Sequence, residues 1–169
     1  MPAERERTFL VAALPENLKA AKHADIEQFY ITDEKGGLRM RKIDGRVELT
    51  MKLPIAGDNK DRNELDPFLL SEKTFQKLKK IADRHLKKRR YYVPIHDGLV
   101  AELDLYKDKL KGHRSVEVEF KSAKDKRDFA PPAWFGPEIT NEAVGSNGFL
   151  AGKSYKQVKP LIDKLKAKK

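Results

Sequence analysis

The sequence lacks cysteine altogether and has only four histidines among its 169 residues. Without thiols, disulfide bonds, thiolate zinc sites and a cysteine nucleophile are all excluded, and a metal ion would need oxygen or imidazole ligands. The histidines show neither H-x-x-x-H spacing nor acidic companions, so we expect structural or surface roles for His23, His85, His96 and His113. Carboxylate oxygens are therefore the expected ligands of any metal ion.

Long apolar runs are absent as well. No segment approaches the roughly 18 apolar residues that span a bilayer, and the amino terminus lacks the basic-then-apolar order of a signal peptide. We expect a cytoplasmic protein without a membrane partner. A chain of 169 residues is long enough for one core, so residues 1–169 are predicted to form a single domain.

Positive charge is abundant, with a formal net charge of +10, but its distribution is uneven. Residues 71–90 carry nine Lys or Arg against two acids, and residues 153–169 carry seven Lys against one acid. Both segments show helical patterns, the second as a basic C-terminal helix over about 155–169, and solvated helix faces account for most of the excess. Nucleic acid is therefore not the expected partner.

Turn residues divide the chain into short, strand-like segments at Gly36-Gly37, Asp44-Gly45, Gly57-Asp58-Asn59 and Asp97-Gly98. Asp-Gly between two alternating segments is typical of a tight turn that joins antiparallel strands. Helical patterns are confined to residues 71–86, residues 122–129 and the tail from Tyr155, with Ser71 as the expected N-cap of the first. This order predicts an α+β fold dominated by antiparallel strands.

The predicted strands alternate apolar residues with charges, and within each strand the charges mostly share a sign. The acidic pairs are Glu4 and Glu6, Glu102 and Asp104, and Glu117 and Glu119, and the basic pairs are Arg39 and Arg41, and Lys88 and Arg90. Alternate side chains share a face, so each pair holds like charges roughly 7 Å apart. Their repulsion is about 0.6 kcal/mol in bulk water and about four times larger at an effective dielectric near 20.

A sheet with one solvated face also alternates charged and apolar residues. However, a solvated face has no reason to sort acids onto some strands and bases onto others. If the sheet closes on itself, the charged face can line a polar tunnel while helices cover the apolar face. The acids would then hold a cation, and the bases would hold an anion.

Hard cations such as Mg²⁺ or Mn²⁺ take oxygen ligands, commonly carboxylates, water and substrate phosphates. Arginine suits phosphate because its planar fork donates two parallel hydrogen bonds. A phosphoanhydride that is bridged by metal and clamped by bases needs only a positioned water for hydrolysis. The pattern thus indicates metal-dependent phosphoryl chemistry without a covalent protein nucleophile.

The same residues resemble the CYTH or triphosphate-tunnel family over about residues 4 to 151. The opening Glu4-Arg-Glu6-Arg-Thr8 resembles the E-x-E-x-K signature of the family, and eight later segments follow in the family order. These segments are Ile26–Tyr30, Leu38–Arg41, Leu49–Lys52, Arg62–Asp66, Lys88–Tyr91, Ala101–Asp104, Val116–Phe120 and Trp134–Thr140.

The resemblance implies a closed eight-stranded antiparallel barrel with helices packed outside, and metal-dependent hydrolysis of a triphosphate, with tripolyphosphate as the expected substrate. Carried over by position, the metal ligands would be Glu4, Glu6, Glu117 and Glu119, and Glu102 and Asp104 would act in catalysis. The phosphate-binding residues would be Arg39, Arg41, Lys52, Arg62, Lys88 and Arg90. The implied cofactor is Mg²⁺ or Mn²⁺, and the partner is a small molecule with a triphosphate group.

One position departs from the family signature, because Thr8 replaces its lysine and removes a charge from the implied site. We expect slower turnover or an altered substrate, since the other charges are retained. Two alternatives stay open: a class IV adenylate cyclase that makes cyclic AMP from ATP, and a non-catalytic module that binds polyphosphate or nucleic acid. The residues do not specify the organic part of the substrate or the oligomeric state.

Overall fold

The computed structural model describes residues 5–31, 38–55, 58–64 and 67–168, with residues 51–55 and 58–64 described by their backbone. The strands are β1 (Glu6–Val11), β2 (Lys22–Tyr30), β3 (Leu38–Ile43), β4 (Arg46–Ile55), β5 (Asp58–Glu64), β6 (Phe68–Leu69), β7 (Arg84–Pro94), β8 (Val100–Tyr106), β9 (Arg114–Glu119) and β10 (Phe135–Glu138). The α-helices are α1 (Glu72–Lys79), α2 (Ala123–Asp128), α3 (Asn147–Leu150) and α4 (Tyr155–Lys166).

The strands form one antiparallel sheet in the order β10-β1-β9-β8-β7-β2-β3-β4-β5, with β6 paired to β4. The α+β class and the antiparallel pairing are therefore confirmed. The expected closed, eight-stranded barrel is not, because the sheet has ten strands in the described residues and no ladder there joins β10 to β5. Closure would need hydrogen bonds between those two end strands.

Two of the predicted turns are present and connect neighbouring strands. Asp44 and Gly45, at φ values of 46° and 90°, join β3 to β4, and Asp97 and Gly98, at 58° and 68°, join β7 to β8. Asp and Gly tolerate this left-handed backbone better than other residues, which is why Asp-Gly marks both positions. The predicted turn at Gly36-Gly37 lies outside the described residues.

The register of the ladders separates the two faces of the sheet. What we call the charged face carries the alternating charges of neighbouring strands: Glu6, Thr8, Glu117, Glu119, Glu102, Asp104, Lys88, Arg90, Arg39 and Arg41. What we call the apolar face carries the residues between them, including Phe9, Val116, Leu103 and Met40, all at most 2% exposed. The predicted alternation is thus confirmed on every described strand that carries a like-signed pair.

One helix, α1, covers part of the apolar face, as expected for a helix that packs outside the charged face. Phe75 of α1 packs against Phe29, Met40 and Val47 of the apolar face, and the hydroxyl of Ser71 caps the helix by accepting the backbone N–H of Thr74. The helix ends at Lys79, before the predicted limit of residue 86. The prediction was too long because residues from Arg84 onward pair with β2 as the start of β7.

The carboxy-terminal segment corrects the expectation that all helices pack outside. Residues of this segment, including Val144, Leu150 and Val158, form one buried cluster with Leu86 and Tyr106. Leu86 and Tyr106 alternate with Lys88 and Asp104, so they belong to the charged face. The segment therefore covers one end of the charged face. At that end the face carries apolar side chains such as Leu86, which are buried by this packing.

None of the helices in the described ranges combines the length and the apolar character needed to cross a bilayer.

Candidate active site

Three carboxylates converge on the charged face near the ends of β8 and β9. Each of Glu102, Glu117 and Glu119 offers an oxygen atom, and these atoms all lie within 4.8 Å of one another. The ladders place Glu102 opposite Glu117, and Glu119 opposite Glu6 of β1. Four acids predicted from the sequence thus come together from three adjacent strands.

The pKa of Glu102 shows how poorly this cluster is neutralised by the protein. Burial raises the pKa of Glu102, and the nearby charges of Glu117 and Glu119 raise it further, although Arg90 acts in the opposite sense. A raised pKa means that the negative charge is unfavourable without a cation. Hard oxygen donors at this spacing suit a divalent ion such as Mg²⁺ or Mn²⁺.

A second cluster on the charged face joins two cations to one carboxylate. Asp104 accepts a hydrogen bond from Lys88 Nζ at 2.5 Å and two from Arg90, at 2.8 Å from Nε and 2.8 Å from Nη2. Arg90 also donates to Glu102, so the basic cluster and the acidic cluster touch. Lys88 and Asp104 are each only 2% exposed, so this network is shielded from water.

The shielding and the charges set the pKa values of the network. Burial lowers the pKa of Lys88 to about 8, although the adjacent Asp104 opposes the shift. Burial by itself would raise the pKa of Asp104, but Arg90 and Lys88 outweigh it and lower the value to about 2. Asp104 is thus ionised at neutral pH, and it holds both cations by charge-assisted hydrogen bonds.

Two further cations lie on β3, across β2 from Lys88 and Arg90. Arg39 is 7% exposed and donates from Nε to Thr50 Oγ1 at 3.0 Å, and Arg41 faces Gln28 in the ladder. Alternate residues of a strand share a face, so both guanidinium groups belong to the charged face. The predicted separation of bases from acids is therefore present in three dimensions, with β7 and β3 on one side and β1, β8 and β9 on the other.

Thr8, the departure from the family signature, lies within the acidic cluster. It is 5% exposed and faces Glu117 in the ladder, and its backbone N–H donates to Thr140 Oγ1 at 3.0 Å. A lysine here would stand beside the carboxylates. With threonine at this position, none of the charged-face residues that the structure describes on β1, β8 and β9 is a cation.

The side chains of three predicted site residues are not described by the structure. Glu4 lies outside the described residues, and Lys52 and Arg62 are described by their backbone alone. In the ladder between β4 and β5, Lys52 faces Glu64 and Arg62 faces Pro54. Their predicted phosphate-binding roles stay predictions.

Several polar residues of the charged face were not among the predicted site residues. Gln28 is fully buried, and its Nε2 lies 3.3 Å from the hydroxyl of Tyr30. The alternation of β2 could have identified both, because they share the face of the bases. Asn147 of α3 contacts Lys88 Nζ at 3.4 Å, and no strand pattern could have found it because it follows the last strand.

Taken together, the charged face pairs a carboxylate cluster with an adjacent array of cations. Such an arrangement can hold a divalent metal ion next to a chain of phosphate groups, and the covered end limits access from one side.

Comparisons with known proteins find a similar sequence and similar structures. No family model matches the chain. The chain is 32% identical over 149 residues to an inorganic triphosphatase of Nitrosomonas europaea, which covers 88% of this chain and 96% of that protein. A crystal structure of an inorganic triphosphatase has a TM-score of 0.68 at 30% identity and covers 90% of this chain and 97% of that chain.

A more distant structure, a putative adenylyl cyclase from Hippeastrum with a dominant triphosphatase activity, has a TM-score of 0.54 at 13% identity. It covers 73% of this chain and 82% of that chain. At this identity the likeness concerns the fold alone.

Proposed function

Because this chain belongs to the CYTH or triphosphate-tunnel family, we propose that it is a triphosphatase that hydrolyses tripolyphosphate with the help of a divalent metal ion. The observation that carries the proposal is the division of one sheet face into a carboxylate cluster and an array of buried cations. A relative of 32% identity, an inorganic triphosphatase matched over 96% of its length, supports the choice of substrate.

The acidic cluster fits a metal ion by the chemistry of its donors. Glu102, Glu117 and Glu119 supply closely spaced oxygen atoms, and Glu6 lies opposite Glu119. We assign metal binding to Glu6, Glu117 and Glu119, and to Glu4 by its place in the family signature, whereas Glu102 lies beside this site. A bound Mg²⁺ or Mn²⁺ would polarise the terminal phosphoanhydride and lower the pKa of a water molecule.

The cations bind the phosphate groups in this proposal. Lys88, Arg90, Arg39 and Arg41 belong to the charged face, and Lys52 and Arg62 are assigned to the same role from the sequence. Fixed guanidinium groups hold phosphate oxygens in pairs and stabilise the charge that develops as the anhydride breaks. Their enclosure strengthens this attraction relative to bulk water.

The family resemblance implies a catalytic role for both Glu102 and Asp104, and we propose a different role for each. Both oxygen atoms of Asp104 accept hydrogen bonds from Lys88 and Arg90, so Asp104 serves as the anchor of the cations. Glu102 has a raised pKa and lies in the acidic cluster, so it is the better candidate to accept a proton from the attacking water.

The test is phosphate release from tripolyphosphate, thiamine triphosphate and ATP, each with Mg²⁺, with Mn²⁺ and with chelator. We expect metal-dependent release that is fastest with tripolyphosphate. The double variant Glu117→Gln, Glu119→Gln should lose it, because neutral amides bind hard cations weakly. The matched control is Glu16→Gln, Glu142→Gln, which removes the same charge from exposed positions and should keep full activity.

Three outcomes would contradict the proposal. Release that persists in chelator would exclude the metal-dependent mechanism. Tripolyphosphate binding without release from any substrate would favour the non-catalytic module, and cyclic AMP formed from ATP would favour the cyclase.

A further inference from the structure

Asn147 links the carboxy-terminal segment to the cations of the charged face. Its side-chain Oδ1 lies 3.4 Å from Lys88 Nζ and 2.7 Å from the hydroxyl of Tyr106. Lysine has no acceptor, so the amide must present its oxygen to Lys88, and the hydroxyl of Tyr106 then donates to the same oxygen. The orientation of the amide is thus determined by its neighbours.

The position of Asn147 is fixed by packing of the segment on either side of it. Val144 and Leu150 are at most 1% exposed and belong to the cluster that covers the end of the charged face. Arg84 Nη1 donates to the backbone carbonyl of Gly148 at 2.9 Å. Asn147 is therefore brought to Lys88 by the fold of the segment.

The ammonium group of Lys88 has more hydrogen-bond donors than it has acceptors among the described residues. An ammonium group has three N–H donors, and Lys88 Nζ has two acceptors within the described part of the chain, Asp104 and Asn147. The third N–H has no acceptor in that part of the chain, and under the proposed function it meets a phosphate oxygen. Asn147 is neutral, so it orients the ammonium without cancelling its charge, whereas a second carboxylate there would neutralise the group.

We infer that Asn147 is a positioning residue for substrate binding, which holds the Lys88 ammonium so that its remaining N–H meets a phosphate of the substrate. This inference rests on the proposed function, because it assigns Lys88 to the phosphate chain. Asn147 acts through Lys88, so its loss should weaken binding of the polyphosphate more than the chemical step.

The first test compares Asn147→Leu with wild type by the KM and kcat for tripolyphosphate, and by the Kd of tripolyphosphate from calorimetry. Loss of a hydrogen bond to a charged group should raise KM and Kd by about tenfold, with kcat changed by about twofold or less. The matched control is Asn141→Leu, an exposed asparagine of the same segment, which should leave both constants unchanged. If Asn147→Leu does not fold, Asn147→Ala replaces it.

The decisive test places Asn147→Leu in a Lys88→Met background. Binding should stay measurable there because Arg39, Arg41 and Arg90 remain. If Asn147 acts through Lys88, the effect of Asn147→Leu on Kd should disappear in this background. An equal effect in both backgrounds, or an unchanged Kd in the wild-type background, would overturn the inference. If wild type binds tripolyphosphate but releases no phosphate, the proposed function fails while these Kd values still decide the role of Asn147.

Discussion

Asp104 provides the sharpest test of how the charged face is held together. Its carboxylate, 3% exposed, accepts hydrogen bonds from Lys88 and Arg90. Asp104→Asn keeps the shape of the side chain but removes the charge, which leaves two buried cations without their counter-charge. We expect a large loss of folding stability.

The size of this loss follows from geometry. At the 2.8 Å between Arg90 Nε and Asp104 Oδ1, the attraction is about 6 kcal/mol at an effective dielectric near 20. Desolvation offsets part of it, and removal of one partner from a buried ion pair costs about 3–5 kcal/mol. We therefore expect the free energy of unfolding at pH 7 to fall by about 3–5 kcal/mol.

The assay is urea denaturation of wild type and Asp104→Asn between pH 2 and pH 8. The folded-state pKa of Asp104 is lowered to about 2 from its ordinary 3.8, so its stabilisation is present above pH 3.8. It is lost as the pH falls through about 2, so the difference in stability between the two proteins should narrow towards pH 2.

The matched control is Asp25→Asn, which tests whether burial sets the size of the effect. Asp25 pairs with Arg89 at 2.6 Å and Lys107 at 2.5 Å, a similar set of partners, but its side chain is 50% exposed. An exposed pair contributes about 1 kcal/mol or less, so this variant should be nearly as stable as wild type. Equal losses in both variants, or a loss below about 1 kcal/mol for Asp104→Asn, would refute the reasoning.

Three further predictions concern other residues. Burial lowers the folded-state pKa of Lys88 to about 8 from 10.5, so wild type should gain stability relative to Lys88→Met as the pH rises from 8 to 10.5; parallel stability curves in urea would contradict this. Thr8→Lys adds a cation opposite Glu117 and should change the rate or the substrate preference of phosphate release, and identical kinetics would exclude a role for this position. Val158→Ala opens a cavity beneath α4, where Val158 is fully buried, and should lower the unfolding free energy by about 1–3 kcal/mol; a loss near zero would mean that α4 does not support the fold.

Periodicity in the sequence was a reliable guide to the strands and to their two faces. Side chains alternate across a strand, so Arg39 and Arg41, or Glu117 and Glu119, had to share a face wherever the strand lay. The turns at Asp44-Gly45 and Asp97-Gly98 could be predicted for a similarly local reason, since few residues accept a positive φ. The family could be identified because these local patterns occur in a characteristic order.

The ends of the helices and the pairing of the strands were harder to predict from the sequence. The helix predicted over 71–86 ends at Lys79, because pairing with β2 draws Arg84 and the following residues into β7. Local propensity cannot show that strand pairing competes with the helix here, because the pairing depends on a strand more than fifty residues earlier in the chain. The number of strands and the closure of the sheet depend on such long-range pairs too.

By itself, the sequence determined which residues carry charge on a common face, and hence that acids and bases are sorted for a metal ion and a phosphate chain. Only the tertiary structure decided how these charges meet: that Asp104 binds Lys88 and Arg90 together, that Glu102 joins Glu117 and Glu119, and that a carboxy-terminal segment brings Asn147 to Lys88. The physical reason is that alternation is a property of one strand, whereas a hydrogen bond between distant residues exists only once the strands have found their register and the segment has packed on their face.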